Sequence, residues 1–428
     1  MYNSKKRGMT RLSPPEKGRK SMPTLHGTNL TNVKEKNRAL ALRLISTGQS
    51  VSRANLARSM HLTKTTLGNI VSDLIASDII KEYTYTSTEA DASLGRKPII
   101  LDLSPNSPLI MGMLIKRNLL SGILADLKGR IIAQKDCRYD SLNQDTLIDT
   151  LVQLYEQLRK GQSRRIVAIG ISSLGPVDTK AQKLTTPVDF WGIKNLPLPE
   201  IIQQRTGLPA YIIHDSSAGA LAEKIYGSHT HSDNLLYLHI MNGIGAGYIF
   251  QGNIYDGDFG QSGELGHTSI NFAGPSCNCG NRGCLELYAN IDNMNRHIQE
   301  MRNIYKGPTL LSKEQESYTW SDIITAASAM DFLAMAALDE FCGYLAYAVR
   351  NAIHLLDVSH IIVGYDSPVE TTVVEDALTT KLNSGPQSNT GHTIEIVKSS
   401  FGGQAPLIGS IAVVTDKIFN CELNIFNP

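Results

Sequence analysis

Gly263-Glu264-Leu265-Gly266-His267 and, from ten positions past that histidine, Cys277-Asn278-Cys279-Gly280-Asn281-Arg282-Gly283-Cys284-Leu285-Glu286 form the most informative stretch of this 428-residue chain. Three of its six cysteines fall in this run. Three thiols and one imidazole make a complete tetrahedral donor set for zinc. Gly280 and Gly283 let so short a loop turn back and aim its thiolates at one point. Unrelated reduced thiols or a disulfide are the alternatives, but pairing two cysteines would strand the third. The expectation is a structural zinc site formed by His267, Cys277, Cys279 and Cys284, with about one ion per chain.

Working outward, the length implies two or three domains. A hydrophobic share of 42% and a charged share of 19% describe a soluble globular chain. No uninterrupted apolar run approaches the ~18 residues of a membrane span. The basic N-terminus lacks the apolar segment of a signal peptide. Reduced or metal-bound thiols fit a cytoplasmic location. The net charge of +1 hides an asymmetry. Residues 1–98 hold 17 Lys or Arg against 7 Asp or Glu, a net of +10, which leaves −9 for the rest. A basic front on an acidic body suggests a polyanion partner for the front alone.

Residues 1–30 read as a flexible basic arm. Beyond it, Leu40, Ala41, Leu44 and Ile45 follow helical spacing up to Gly48. Ser52 can cap a short helix that buries Leu56 and Ala57. After the turn at His61-Leu62, Thr63 can cap a helix from Lys64 to Ala76 with Leu67, Ile70, Val71 and Leu74 inside. Lys64, Thr65, Thr66 and Asn69 then lie on its outer face near the N-terminus, where polar side chains can meet base edges and phosphates. Strands at 79–83 and 97–103 would form a wing, with Arg96 at its return edge suited to a minor groove. Residues 31–104 therefore predict a winged helix-turn-helix that binds double-stranded DNA.

Residues 105–428 alternate strands and helices in an α/β pattern of two lobes. Asn242-Gly243-Ile244-Gly245-Ala246-Gly247 has the glycine spacing of a turn whose amides approach an anion. His214-Asp215 ends a strand, where a carboxylate either faces a ligand cleft or caps the next helix.

The Gly263–His267 and Cys277–Glu286 motifs, with the helix-turn-helix and Gly95-Arg96-Lys97-Pro98, resemble the transcription-factor branch of the ROK family (repressor, open reading frame, kinase) over roughly residues 32–420. The resemblance implies two actin-like, ribonuclease-H-like lobes around a sugar cleft. It implies zinc on His267, Cys277, Cys279 and Cys284, sugar contacts from Glu264, His267 and Glu286, and Asp215 at the position of the catalytic base. Two positions depart from the family's pattern: His214 stands where an Asn is usual, and Val188-Asp189 where an Asn commonly grips the sugar.

Kinases of the family open this body with an Asp-x-Gly-Gly-Thr turn around ATP phosphates. Here the turn is Leu114-Ile115-Lys116-Arg117-Asn118, between Gly112 and Asp126. Met241-Asn242 and Gly364-Tyr365 replace two further nucleotide-binding elements. Phosphoryl transfer depends on positioned phosphates and metal, so no kinase activity is expected. Lys116 and Arg117 could hold an anion such as a sugar phosphate, but a solvated turn is the commoner fate and is the reading preferred.

The sequence thus reads as a repressor of carbohydrate genes: a homodimer or homotetramer with Lys64, Thr65, Thr66, Asn69 and Arg96 on the operator. A sugar or sugar-phosphate effector would contact His214, Asp215, Glu264, His267 and Glu286. A sugar kinase with a DNA-binding head, or a regulator controlled by a protein partner, are the alternatives.

Overall fold

A computed structural model describes residues 30–48, 51–84, 99–186, 190–241, 243–260, 262–312, 315–384 and 393–426. The expected arm lies outside the described residues as far as position 29, and Leu30 already opens helix α1 (Leu30–Thr47). The buried stripe of α1 is Ala39, Ala41, Leu42 and Ile45. Leu40, expected inside, is 40% exposed, because the inner face is rotated by about one residue from the predicted one.

Strand β1 (Val51–Ser52) leads into α2 (Arg53–Ser59), and Ser52 Oγ accepts from Asn55 N at 3.1 Å. Helix α3 (Lys64–Ala76) is capped by Thr63, whose Oγ1 accepts from Thr66 N at 3.1 Å. Strands β2 (Ile80–Thr84) and β3 (Ile99–Leu103) form the expected antiparallel pair. Strand β1 adds to the far edge of β3, a pairing the sequence reading missed. Between β2 and β3, residues 85–98, including Arg96, lie outside the described residues.

The first lobe contains β4 (Leu109–Ile115), β5 (Leu119–Asp126), β6 (Ile131–Arg138), α4 (Gln144–Arg159) and β7 (Ile166–Ser173). A short hairpin of β8 (Val177–Asp178) and β9 (Lys183–Leu184) follows, then α5 (Leu198–Thr206), β10 (Ala210–His214) and α6 (Asp215–Tyr226). Its sheet runs β10-β7-β4-β5-β6, with an antiparallel meander at one side and parallel strands at the other.

The second lobe contains β11 (Leu235–Ile240), β12 (Ile244–Phe250), β13 (Asn253–Ile254), α7 (Ile291–Ile304), α8 (Trp320–Ser328) and α9 (Phe332–Leu356). It continues with β14 (His360–Tyr365), α10 (Val373–Asn383) and β15 (Glu395–Lys398), in the sheet order β13-β12-β11-β14-β15. Helix α9 is long and apolar enough to cross a membrane by length and composition. Its inner face, with Leu338, Phe341, Leu345 and Val349, is instead packed in the core of the second lobe.

The last helix, α11 (Ala405–Phe419), returns to the first lobe and packs on α6, β4 and β7. The approach is close enough that a Cβ at Gly170 would lie 1.7 Å from Ser410 O. The same helix touches α1, and Ser77 Oγ donates to Phe426 O at 3.1 Å. One continuous apolar core therefore joins the helix-turn-helix to the first lobe.

The glycine-rich segment needs correction. Asn242 lies outside the described residues, and Ile244–Gly247 belong to β12 rather than to a loop. A Cβ at Gly247 would lie 2.3 Å from Ser216 O, so this glycine admits the start of α6 and cradles no anion. Of the segment's glycines, Gly243 and Gly245 border the cleft, with Ile244 between them.

Candidate functional site

The two lobes enclose a cleft of about 390 Å³, within the range of small-molecule pockets. His214, Asp215, Glu264, His267, Cys277 and Glu286 all line it, so five predicted ligand contacts and one predicted thiol come together. Asp215 is the first residue of α6, not its cap, and the cap position is taken by His214 without a side-chain capping bond. The carboxylate of Asp215 is left facing the cleft.

His214 is held on both ring nitrogens. Nδ1 lies 2.8 Å from Ser216 Oγ and Nε2 lies 3.3 Å from Asp215 Oδ1. The same Ser216 Oγ donates to Ala246 O at 3.0 Å, which ties the start of α6 to β12 across the lobes. His214 therefore orients Asp215 as much as it offers itself to a ligand.

Sequence reasoning missed His239, which also lines the cleft. It is 5% exposed, and burial lowers its pKa, so the ring is neutral at pH 7. The available signal was one polar residue inside the apolar strand Leu235–Ile240.

On the second-lobe side, Gly263 has φ +95°, and a Cβ there would lie 1.9 Å from Ala246 O. Only glycine fits, and the resulting turn presents Glu264 and His267 to the cleft. His267 Nδ1 lies 3.0 Å from Glu286 Oε1. That hydrogen bond, working against burial, raises the imidazole pKa to about 9. Burial raises the Glu286 carboxyl, but the bond and charge of His267 outweigh it and the net shift is downward.

His267, Cys277, Cys279 and Cys284 offer donor atoms that all lie within 4.8 Å of one another. Cys279 and Cys284 Sγ are 3.6 Å apart, and Cys277 Sγ is 3.7 Å from His267 Nδ1. A sulfur separation of 3.6 Å is far beyond a disulfide bond, and these cysteines are free. Bonds of ~2.3 Å to a tetrahedral ion place sulfurs ~3.8 Å apart, so the donor set fits zinc.

Across the cleft, β4 runs straight into a tight turn closed by Lys116 N donating to Leu119 O at 2.9 Å. Leu114 is 2% exposed and belongs to the first-lobe core. Asp126 accepts from Lys128 N and Arg130 N and pairs with Arg130, so its carboxylate is spent on the β5–β6 turn. Lys116 and Arg117 line the cleft, which puts them closer to a ligand than the solvated-turn reading expected.

In the helix-turn-helix, Lys64, Thr65, Thr66 and Asn69 are exposed together on α3. Thr66 Oγ1 lies 2.9 Å from Thr63 Oγ1, which leaves its hydroxyl partly engaged in the cap.

Known proteins resemble this chain in sequence and in fold. A sequence model described as "ROK family" matches residues 114–417. The xylose repressor of Bacillus subtilis (strain 168) is 29% identical over 390 residues, covering 90% of this chain and 96% of that one. A crystal structure of a ROK family transcriptional regulator, a homologue of the E. coli MLC protein, aligns with a TM-score of 0.73 at 26% identity. It covers 91% of this chain and 98% of its own. A ROK family glucokinase from Streptomyces griseus, solved with glucose and AMPPNP, aligns over 71% of this chain and 98% of its own. Its TM-score is 0.60 at 24% identity, a likeness of fold.

Proposed function

The chain belongs to the ROK family, and from that premise we propose a DNA-binding transcriptional repressor of carbohydrate-utilisation genes that transfers no phosphoryl group. An effector sugar or sugar derivative occupies the interlobe cleft. The observation that carries this reading is a pairing: an exposed polar helix face in front, and a buried Leu114 where a kinase needs a magnesium-binding carboxylate. Lys64, Thr65, Thr66 and Asn69 meet base edges and phosphates, with Arg96 in the wing. Paired heads require half-sites about one helical turn apart, so a homodimer or homotetramer follows.

In the cleft, Asp215, Glu264 and Glu286 accept hydrogen bonds from hydroxyls, and His214 and His267 add ring nitrogens. Zinc on His267, Cys277, Cys279 and Cys284 would brace the loop that carries Glu264 and Glu286. Holding the ion requires His267 Nδ1 to release the proton it shares with Glu286. The free thiols of this set suit a reducing cytoplasm.

Helix α6 begins at Asp215 and packs on α11, and α11 touches α1. A ligand that favours one lobe arrangement can therefore bias the head, provided it binds the two arrangements unequally.

The test is selection of genomic fragments by the full-length protein, with and without a panel of sugars. Fragments beside carbohydrate genes, bound steeply less as salt rises and released by one sugar, are expected. ATP-dependent phosphorylation of a hexose at an ordinary enzymatic rate, or loss of all specific DNA binding, would remove the reading.

A further inference from the structure

The cleft does not end at the residues that face a single sugar. A second chamber of about 680 Å³ lies beyond Glu286 and shares Arg117, Met241, Gly243 and Glu286 with the first. We propose that this chamber takes the distal ring of a disaccharide or glycoside whose proximal ring sits among Asp215, Glu264 and His267. The inference rests on the effector reading above and extends it to a ligand class.

Three observations carry it. Trp320 supplies an aromatic face fixed in place: its Nε1 donates to Asp366 O at 2.9 Å. Its ring packs against Phe341 and Tyr365, with centroids 5.4 and 5.9 Å away. A pre-set aromatic face beside polar groups is suited to a sugar ring, which is apolar on its C–H face and polar at its rim.

The charge of the lining also selects. Three carboxylates, Glu286, Asp292 and Asp366, line the chamber against one guanidinium, Arg117. Carboxylates accept from hydroxyls and repel phosphates.

Two helix starts border the chamber, and helix starts by themselves attract anions. Both are already capped, however. Asn290 Oδ1 accepts from Asn293 N at 2.9 Å, and Thr319 Oγ1 accepts from Asp322 N at 3.2 Å. Asp292 and Asp322 add negative charge to those first turns. A neutral, hydroxyl-rich ligand suits these walls better than a nucleotide or a phosphorylated sugar.

Calorimetry on the full-length protein tests the proposal. The probes are xylose, glucose and N-acetylglucosamine, then xylobiose, cellobiose, chitobiose, maltose and sucrose, then glucose 6-phosphate and AMPPNP. At least one disaccharide is expected to bind tenfold or more tighter than its own monosaccharide. Trp320→Ala is expected to weaken that disaccharide by roughly tenfold and leave the monosaccharide within about twofold. Unchanged monosaccharide binding doubles as the folding control, and Trp320→Phe, which keeps an aromatic face, should recover most of the lost affinity. Monosaccharide binding with no disaccharide advantage would overturn this inference alone. So would an advantage indifferent to Trp320→Ala, or tighter binding of the phosphorylated probes. Silence across every carbohydrate would take the effector reading with it.

Discussion

Two corners of one cleft differ in what lies beneath them. Under Glu286 are Cys284 and Leu285, both fully buried, and a donor set that fits zinc. Under Lys116 and Arg117 lies Leu114, equally buried, in an apolar core. The first corner spends its interior on holding polar groups in one geometry. The second spends it on packing, with Leu114 buried where a kinase would put a metal-binding carboxylate. A scaffold shared with sugar kinases can therefore keep recognition of hydroxyls and lose phosphoryl transfer, because the two tasks rest on separate interiors.

The sharpest way to break the comparison is to strip the first corner. Cys284→Ala should reduce bound zinc from about one ion per chain to none and weaken sugar binding by about 100-fold. Metal analysis and calorimetry read the two effects. Full sugar affinity in a zinc-free variant would show that the loop holds Glu264 and Glu286 without the ion.

The second corner is challenged by giving back the missing carboxylate. Leu114→Asp should cost about 3–5 kcal/mol of stability, since it buries an unpaired charge among Ile110, Ile123 and Ile411. Denaturant titration measures this. No hexose phosphorylation should appear, because Lys116 and Arg117 still fill the turn. A stable variant that gains phosphorylation would mean that the turn is only one substitution from catalysis.

Between these in position, but smaller in effect, stands Asp215. Asp215→Asn removes a charged acceptor worth about 1.5–3 kcal/mol, so sugar affinity should fall roughly 10- to 100-fold. Operator binding without sugar should not change. A parallel loss of DNA affinity would show that Asp215 sets the lobe arrangement instead of reading the ligand.

The two corners were also unequally legible. His267, Cys277, Cys279 and Cys284 could be grouped from spacing, and they do converge. The caps Ser52 and Thr63 and the bounds of α3 could be placed for the same reason: local rules govern them. Leu114 could be seen as a lost carboxylate, but not as a core residue, since α11, which packs on β4, comes from the far end of the chain. His239 was hidden because its neighbours in β11 look like plain core. The second chamber was invisible, since Arg117, Met241, Asp292, Trp320 and Asp366 are distant along the chain. Contacts made at long range leave no spacing to read.

The smallest expected effect tests the preferred reading of the filled turn. Arg117 is exposed and lines both chambers. Exposed charges seldom contribute more than about 1 kcal/mol. Arg117→Ala should therefore change stability by less than about 0.5 kcal/mol and neutral-sugar affinity by less than about threefold. The informative ligand is a phosphorylated sugar. If the turn had been kept as an anion site, the substitution would weaken glucose 6-phosphate by tenfold or more while sparing glucose. An equal and small effect on both is expected, because Glu286, Asp292 and Asp366 line the same chamber as Arg117 and oppose its attraction for a phosphate.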